Sequence, residues 1–147
     1  MEDLTRESVL RLLDRDWAEY VPRFQALPAA EQCAFLEKQG YRRLADLLAH
    51  IAAWWQAGLE SIQRYGSDPD ARQLEIEVDA FNARAVEAVR GVSDEVEMQA
   101  FEAVRLKFVE AVYALSEQEL RDERVREQLR WELVNHLDEH KLPGSSS

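Results

Sequence analysis

The chain has 147 residues, 46% apolar and 32% charged, with a formal net charge of −11. That length and balance fit one globular domain with a single core and exclude a disordered chain. The negative charge opposes unspecific binding to nucleic acid, whose phosphates it repels.

Met1-Glu2-Asp3-Leu4 is acidic and is followed by no apolar run, so no secretory signal is expected. The uncharged stretch from Leu47 to Leu59 is too short for a bilayer. Cys33 is the only cysteine, which rules out an internal disulfide and suits a reducing compartment. A soluble cytoplasmic protein that meets neither membrane nor nucleic acid is expected.

With five Gly and four Pro, long helices are favoured. Thr5 suits an N-cap, with Glu7 in the first turn. Val9, Leu13, Trp17, Tyr20, Val21 and Phe24 then recur at three- and four-residue steps. Pro22 should kink or divide this first helix. Pro28 to Gln39 reads as a short helical connector stopped by Gly40. A second long helix spans about Tyr41 to Tyr65. Leu44, Leu47, Leu48, Ile51, one of Trp54 and Trp55, Gly58 and Ile62 face inward.

Gly66-Ser67-Asp68-Pro69-Asp70 breaks the second helix. The alternation Leu74, Ile76, Val78 allows a short extended piece but no sheet. A third helical region opens near Val78 or Asp79 and carries Phe81, Ala85, Ala88 and Val89. Gly91 interrupts it, and Ser93 caps a restart along Phe101, Val104, Phe108, Val109, Val112 and Leu115. Ser116 with Glu119 forms a capping box that opens the last region. There Val125, Leu129, Leu133, His136 and His140 share a stripe, which Pro143-Gly144 ends. Residues 1–143 read as one all-α domain of four main helices, and 144–147 as a loose tail.

The chain has three histidines, and all of them fall on inward stripes. His136 and His140, at i and i+4, project from one helical face, a spacing that lets two imidazoles share one metal. His50 lies between Leu47 and Trp54 on the second helix. A lone histidine on such a stripe is more often a hydrogen-bonded core residue. Three together point to a metal site, and neutral imidazole suits Zn, Ni, Fe or Cu. His50 lies near the start of the second helix and the pair near the end of the last. The three can meet only if those helices run antiparallel, as in an up-down-down-up four-helix bundle. The connection from Gly66 to Ile76 must then travel the bundle, and about eleven residues reach roughly 35 Å when extended.

These residues resemble the DinB-like superfamily of four-helix bundles, also called YfiT-like. The resemblance rests on His50 in Leu48-Ala49-His50-Ile51-Ala52-Ala53-Trp54, and on Asn135-His136 through His140-Lys141-Leu142-Pro143. Val78-Asp79-Ala80-Phe81-Asn82 is similar to the ClbS/DfsB branch. The resemblance implies a divalent metal, Zn or Ni foremost, held by His50, His136 and His140 with open positions. It also implies a hydrolase or a thiol-dependent transferase acting on a small molecule, with a low-molecular-weight thiol as an optional cofactor. A homodimer is compatible with it.

Glu132, one turn before His136, and Glu139, beside His140, are the candidate catalytic acids. For each, ordinary solvated helix charge is the more expected reading. Trp54 would wall the pocket or simply fill the core, and Cys33 on the connector is expected to be inert. Two other classes compete with a metalloenzyme. One is a small-molecule binding or self-protection protein, its metal structural or absent. The other is an inverted zinc protease, because His136-Leu137-Asp138-Glu139-His140 fits H-x-x-E-H, with Glu139 as base. The helical chain offers no cleft for that activity.

Overall fold

The computed structural model describes residues 4–144. The acidic Met1-Glu2-Asp3 start and the Ser145–Ser147 tail lie outside the described residues. Among those described, the chain is all-helical and contains no strand. Helix α1 (Arg6–Arg11) starts at Thr5, whose side chain accepts from the Ser8 amide while Ser8 caps back. It continues into a π-helical segment, Leu12–Trp17, and then α2 (Tyr20–Gln25). The break at residues 18–19 lies one turn before Pro22, whose ring clashes with the carbonyl four residues back. In the widened segment, Arg105 donates from Nη1 to the Leu13 carbonyl at 3.1 Å, the kind of inserted side chain that opens a helical turn.

The connector is α3 (Ala29–Gln39), which ends at Gly40 in the left-handed conformation, φ 87°. The long helix α4 (Leu44–Ser67) starts three residues later than its pattern suggests. Asp94, from a distant part of the chain, accepts from the Ala45 amide at 2.8 Å and so fixes that start. α4 also runs through Gly66, where a Cβ would meet Glu119 Oε2 at 2.5 Å. There glycine permits close packing and does not end the helix.

After the irregular 68–77 segment come α5 (Val78–Ala88) and α6 (Asp94–Ala114), with Ser93 as N-cap of α6. α5 is not the first half of a third bundle helix. Asn82 sits beside Trp54 and His50, and the Val89 carbonyl accepts from Arg43. α5 thus carries the chain back along α4 to its start, so the irregular loop does not cover that distance alone. The last region divides into α7 (Glu117–Arg121), α8 (Glu123–Leu129), a second π-helical segment (Arg130–Asn135) and α9 (His136–Glu139). Ser116 and Glu119 form the expected capping box. Asp122 stops α7 and caps α8.

Contacts set the relative directions. Tyr65 meets Arg124, Trp55 meets Glu132 and His50 meets His140, so the chain ascends α4 as it descends the last region. The core centres on Trp55. Trp17 approaches it edge-on at 4.9 Å, Phe101 stacks at 5.1 Å and Phe108 stands edge-on at 5.8 Å. Trp55, not Trp54, is the fully buried member of the pair. No helix among the described residues is long and apolar enough to cross a membrane.

Candidate functional site

The second π-helical segment shapes the site. In it the Glu132 carbonyl accepts from Trp55 Nε1 at 2.9 Å and from His136 Nδ1 at 3.1 Å. The next carbonyl, of Leu133, accepts from Trp17 Nε1 at 3.0 Å. Two core indoles and one imidazole thus bond to carbonyls that a regular helix would commit to its own amides. Trp17 and Trp55 therefore fix the last region, and with it the aim of His136.

His50, His136 and His140 are all buried and come together. His50 Nε2 lies 3.2 Å from His140 Nε2. Ring centres are 5.0 Å apart for His50 and His140, and 5.9 Å for His136 with each of the others. Their outer nitrogens are all occupied. His50 Nδ1 faces Asn82 Oδ1 at 3.0 Å, and the same oxygen accepts from Trp54 Nε1 at 2.7 Å. An indole N–H can only donate, so Asn82 presents its oxygen and His50 carries its proton on Nδ1. His140 Nδ1 faces Gln39 Oε1 at 2.7 Å, while Gln39 Nε2 donates to the Glu139 carbonyl at 3.3 Å. That fixes the Gln39 amide, and His140 donates from Nδ1. His136 donates from Nδ1 to the Glu132 carbonyl. Each neutral ring is left with its Nε2 lone pair free.

Burial pushes the three imidazoles toward the neutral form. His136 falls to about 4 and His140 to about 3, burial being the larger cause and the neighbouring His50 the next. His50 is lowered by burial and partly restored by its bond to Asn82. The 3.2 Å contact between His50 and His140 therefore joins two acceptors that hold no proton at neutral pH. Among the described residues, no group of three or more His, Cys, Asp or Glu side chains is already spaced as a metal-holding set.

The two candidate acids part company. Glu139 is exposed, as ordinary helix charge would be. Glu132 is fully buried, which overturns the solvated reading for that residue. Burial raises its carboxyl to about 8, with Gln128 pulling the other way. Gln128 Nε2 donates to Glu132 Oε2 at 2.6 Å. Oε1 has no hydrogen-bond partner, although His136 Nδ1 is 3.4 Å away. Gly58 leaves the space for this side chain, since a Cβ there would meet Glu132 Oε2 at 2.5 Å and Cγ at 2.7 Å. Gly58→Ala should destabilise the protein by about 1–3 kcal/mol despite alanine's higher helix propensity, as measured by denaturant unfolding.

Trp54 is half-buried, tilted against Phe81 with ring centres 4.2 Å apart and bonded to Asn82, so it supports His50 instead of filling the core. Cys33 is exposed. Sequence reasoning passed over Gln39 as a site residue, and it met Asn82 only as part of a motif. The one local signal for Gln39 was its place at the end of the connector, just before the Gly40 stop. No protein-family model, curated protein or solved structure matches the chain. The fold and site define an all-helical protein with a buried cluster of three neutral histidines.

Proposed function

We propose that this chain is a metal-dependent enzyme of the DinB-like type, with four long helical runs packed up-down-down-up. In this reading His50, His136 and His140 hold one divalent ion, Zn or Ni. The observation that carries the reading is the convergence of three imidazoles whose Nδ1 protons are all engaged elsewhere. Such outer-nitrogen bonds orient histidine ligands and raise their basicity. The ring spacing is compatible. The point equidistant from the three ring centres lies about 3.3 Å from each, against roughly 3.2 Å implied by a 2.0–2.1 Å bond.

A bound ion with open positions would supply Lewis acidity toward water, a thiol or a substrate oxygen. The chain's own residues do the rest. Asn82, Gln39 and the Glu132 carbonyl hold the rings in one tautomer, and Trp54 locks Asn82. The substrate class is a small molecule, and the reaction class is hydrolysis or thiol transfer. Protein purified without chelator or nickel resin should contain close to one ion per chain by mass spectrometry, or take one up on titration with Zn or Ni. Metal-free protein that binds neither would sink the proposal. Asn82→Ala and Gln39→Ala should each weaken metal binding by about 10–100-fold, measured by competition with a chromophoric chelator.

One observation favours the alternative, a non-catalytic small-molecule binding or self-protection protein. Glu132, the buried acid of this cluster, approaches His136 on its Nδ1 side, away from the free lone pairs. No base is thereby assigned to the reacting face. Turnover of substrate, against protection only in stoichiometric amounts, separates the two readings. The exposure of Glu139 between buried histidines gives the protease reading no support.

A further inference from the structure

Residues 71–77 run without helix, turn or bend, an extended piece in a helical chain. Its side chains alternate as a strand's do. Leu74, Ile76 and Val78 line a cavity of about 160 Å³ together with Trp54 and Trp131, and the intervening Glu75 and Glu77 do not. Both glutamates are exposed. The two ends of the piece are pinned. Arg124 Nη1 donates to the Ala71 carbonyl at 2.9 Å and Arg64 Nη2 to the Arg72 carbonyl at 2.8 Å. At the far end the Glu77 carbonyl accepts from the Phe81 amide at 3.0 Å. Between those ends, no backbone group of Gln73, Leu74, Glu75 or Ile76 has a hydrogen-bond partner among the described residues. An open space of about 740 Å³ runs along the piece and is lined by Gln73, Leu74, Glu75, Ile76 and Glu77 alone.

An extended backbone with unpaired donors and acceptors is a template for a further strand. Holding it at both ends removes part of the ordering cost of binding. We propose that the 73–77 edge binds an extended peptide of a partner protein as an added strand, with apolar residues alternating with lysine or arginine. The two faces of the piece set that chemistry. Leu74 at 51% and Val78 at 52% exposed offer apolar contact to every second residue of the added strand. On the other face Glu75 has no hydrogen-bond or ion-pair partner among the described residues, and Glu77 caps α5 by accepting from the Ala80 amide at 2.8 Å. Cationic side chains of the added strand meet these carboxylates. The net charge of −11 favours the approach of a basic segment and opposes that of a second copy of this chain. The edge uses none of the three histidines, and its occupation does not depend on a metal.

The probe is the peptide acetyl-KVKVKVK-amide, titrated by calorimetry into the full chain at neutral pH. Saturable one-to-one binding is expected, with a β-type amide band in isotope-edited infrared spectra of the labelled peptide. KKVVVKK, of the same composition and charge without the alternation, should bind about tenfold more weakly, and EVEVEVE not at all. N-methylation of the valines, or of the inner lysines, blocks one edge of the peptide at a time. One of the two sets should lower affinity by about tenfold or more and the other leave it nearly unchanged. Glu75→Lys should weaken the basic peptide by about threefold or more, and Leu74→Ser by a similar factor. Both positions are exposed, so folding tolerates the changes. No saturable binding, equal affinity for the two lysine peptides, N-methyl sets that act alike, or unchanged affinity in Glu75→Lys would overturn the proposal. So would concentration-dependent dimerisation that Leu74→Ser abolishes, without peptide binding, which would place a second copy on this edge.

Discussion

Alanine at His50, His136 or His140 should lower Zn or Ni affinity by on the order of 100-fold or more, with far-UV circular dichroism nearly unchanged. The expectation rests on the shared geometry. Each ring supplies one free Nε2, and each is held by its own Nδ1 partner: Asn82, the Glu132 carbonyl or Gln39. Removing one ring leaves two donors and opens the position to water. Helicity should survive because the core around Trp55 contains none of the three. His140→Ala should be the mildest for folding, since His140 follows the last helical residue, Glu139. Chelator competition and metal analysis on all three variants check the prediction. Full occupancy in every variant would show the ligand set to be wrong.

The second large effect is a stability profile with opposing limbs in metal-free protein. Glu132 is raised from 4.5 to about 8 in the folded state. The folded protein therefore holds a proton that the unfolded chain releases across that window. Its contribution to stability is complete below about pH 4.5 and is lost as pH rises through 8. The histidines act in the other sense. His136 at about 4 and His140 at about 3 stay neutral where the unfolded chain, near 6.5, takes up protons. Their contribution is complete above 6.5 and is lost as pH falls toward 4 and 3. Each differing proton gives a slope of about 1.4 kcal/mol per pH unit.

Stability should thus rise from pH 4 to about 6.5, where two or more imidazoles outweigh one carboxyl, and then fall toward 8. Glu132→Gln should abolish the fall above 6.5 and leave the acid limb in place. Urea unfolding at half-unit pH steps on chelated protein measures both limbs. A wild-type curve that is flat between pH 6.5 and 8 would show that Glu132 does not hold its proton.

Much of this protein was legible in the order of its residues. Apolar steps of three and four, the Thr5, Ser93 and Ser116 caps and the Gly40 stop are local features. A helix forms from local hydrogen bonds, so they predicted where the helical regions lie, though not every start and break within them. The three histidines were legible because they continue stripes that pack. The relative directions of α4 and the last region followed from asking what lets those histidines meet.

Other features only the tertiary structure decided. α4 starts where Asp94 caps it, and Asp94 is remote in sequence. α5 proved to be a return path along α4, because Trp54 and His50 receive Asn82 from it. The second π-helical segment opens where Trp17 and Trp55 take helix carbonyls, which no periodicity in residues 130–135 records. Glu132 shows the limit most plainly. By spacing it is an ordinary helix carboxylate. Its burial depends on the absence of a side chain at Gly58, on another helix, so its chemistry was set by a neighbour that its own segment could not name.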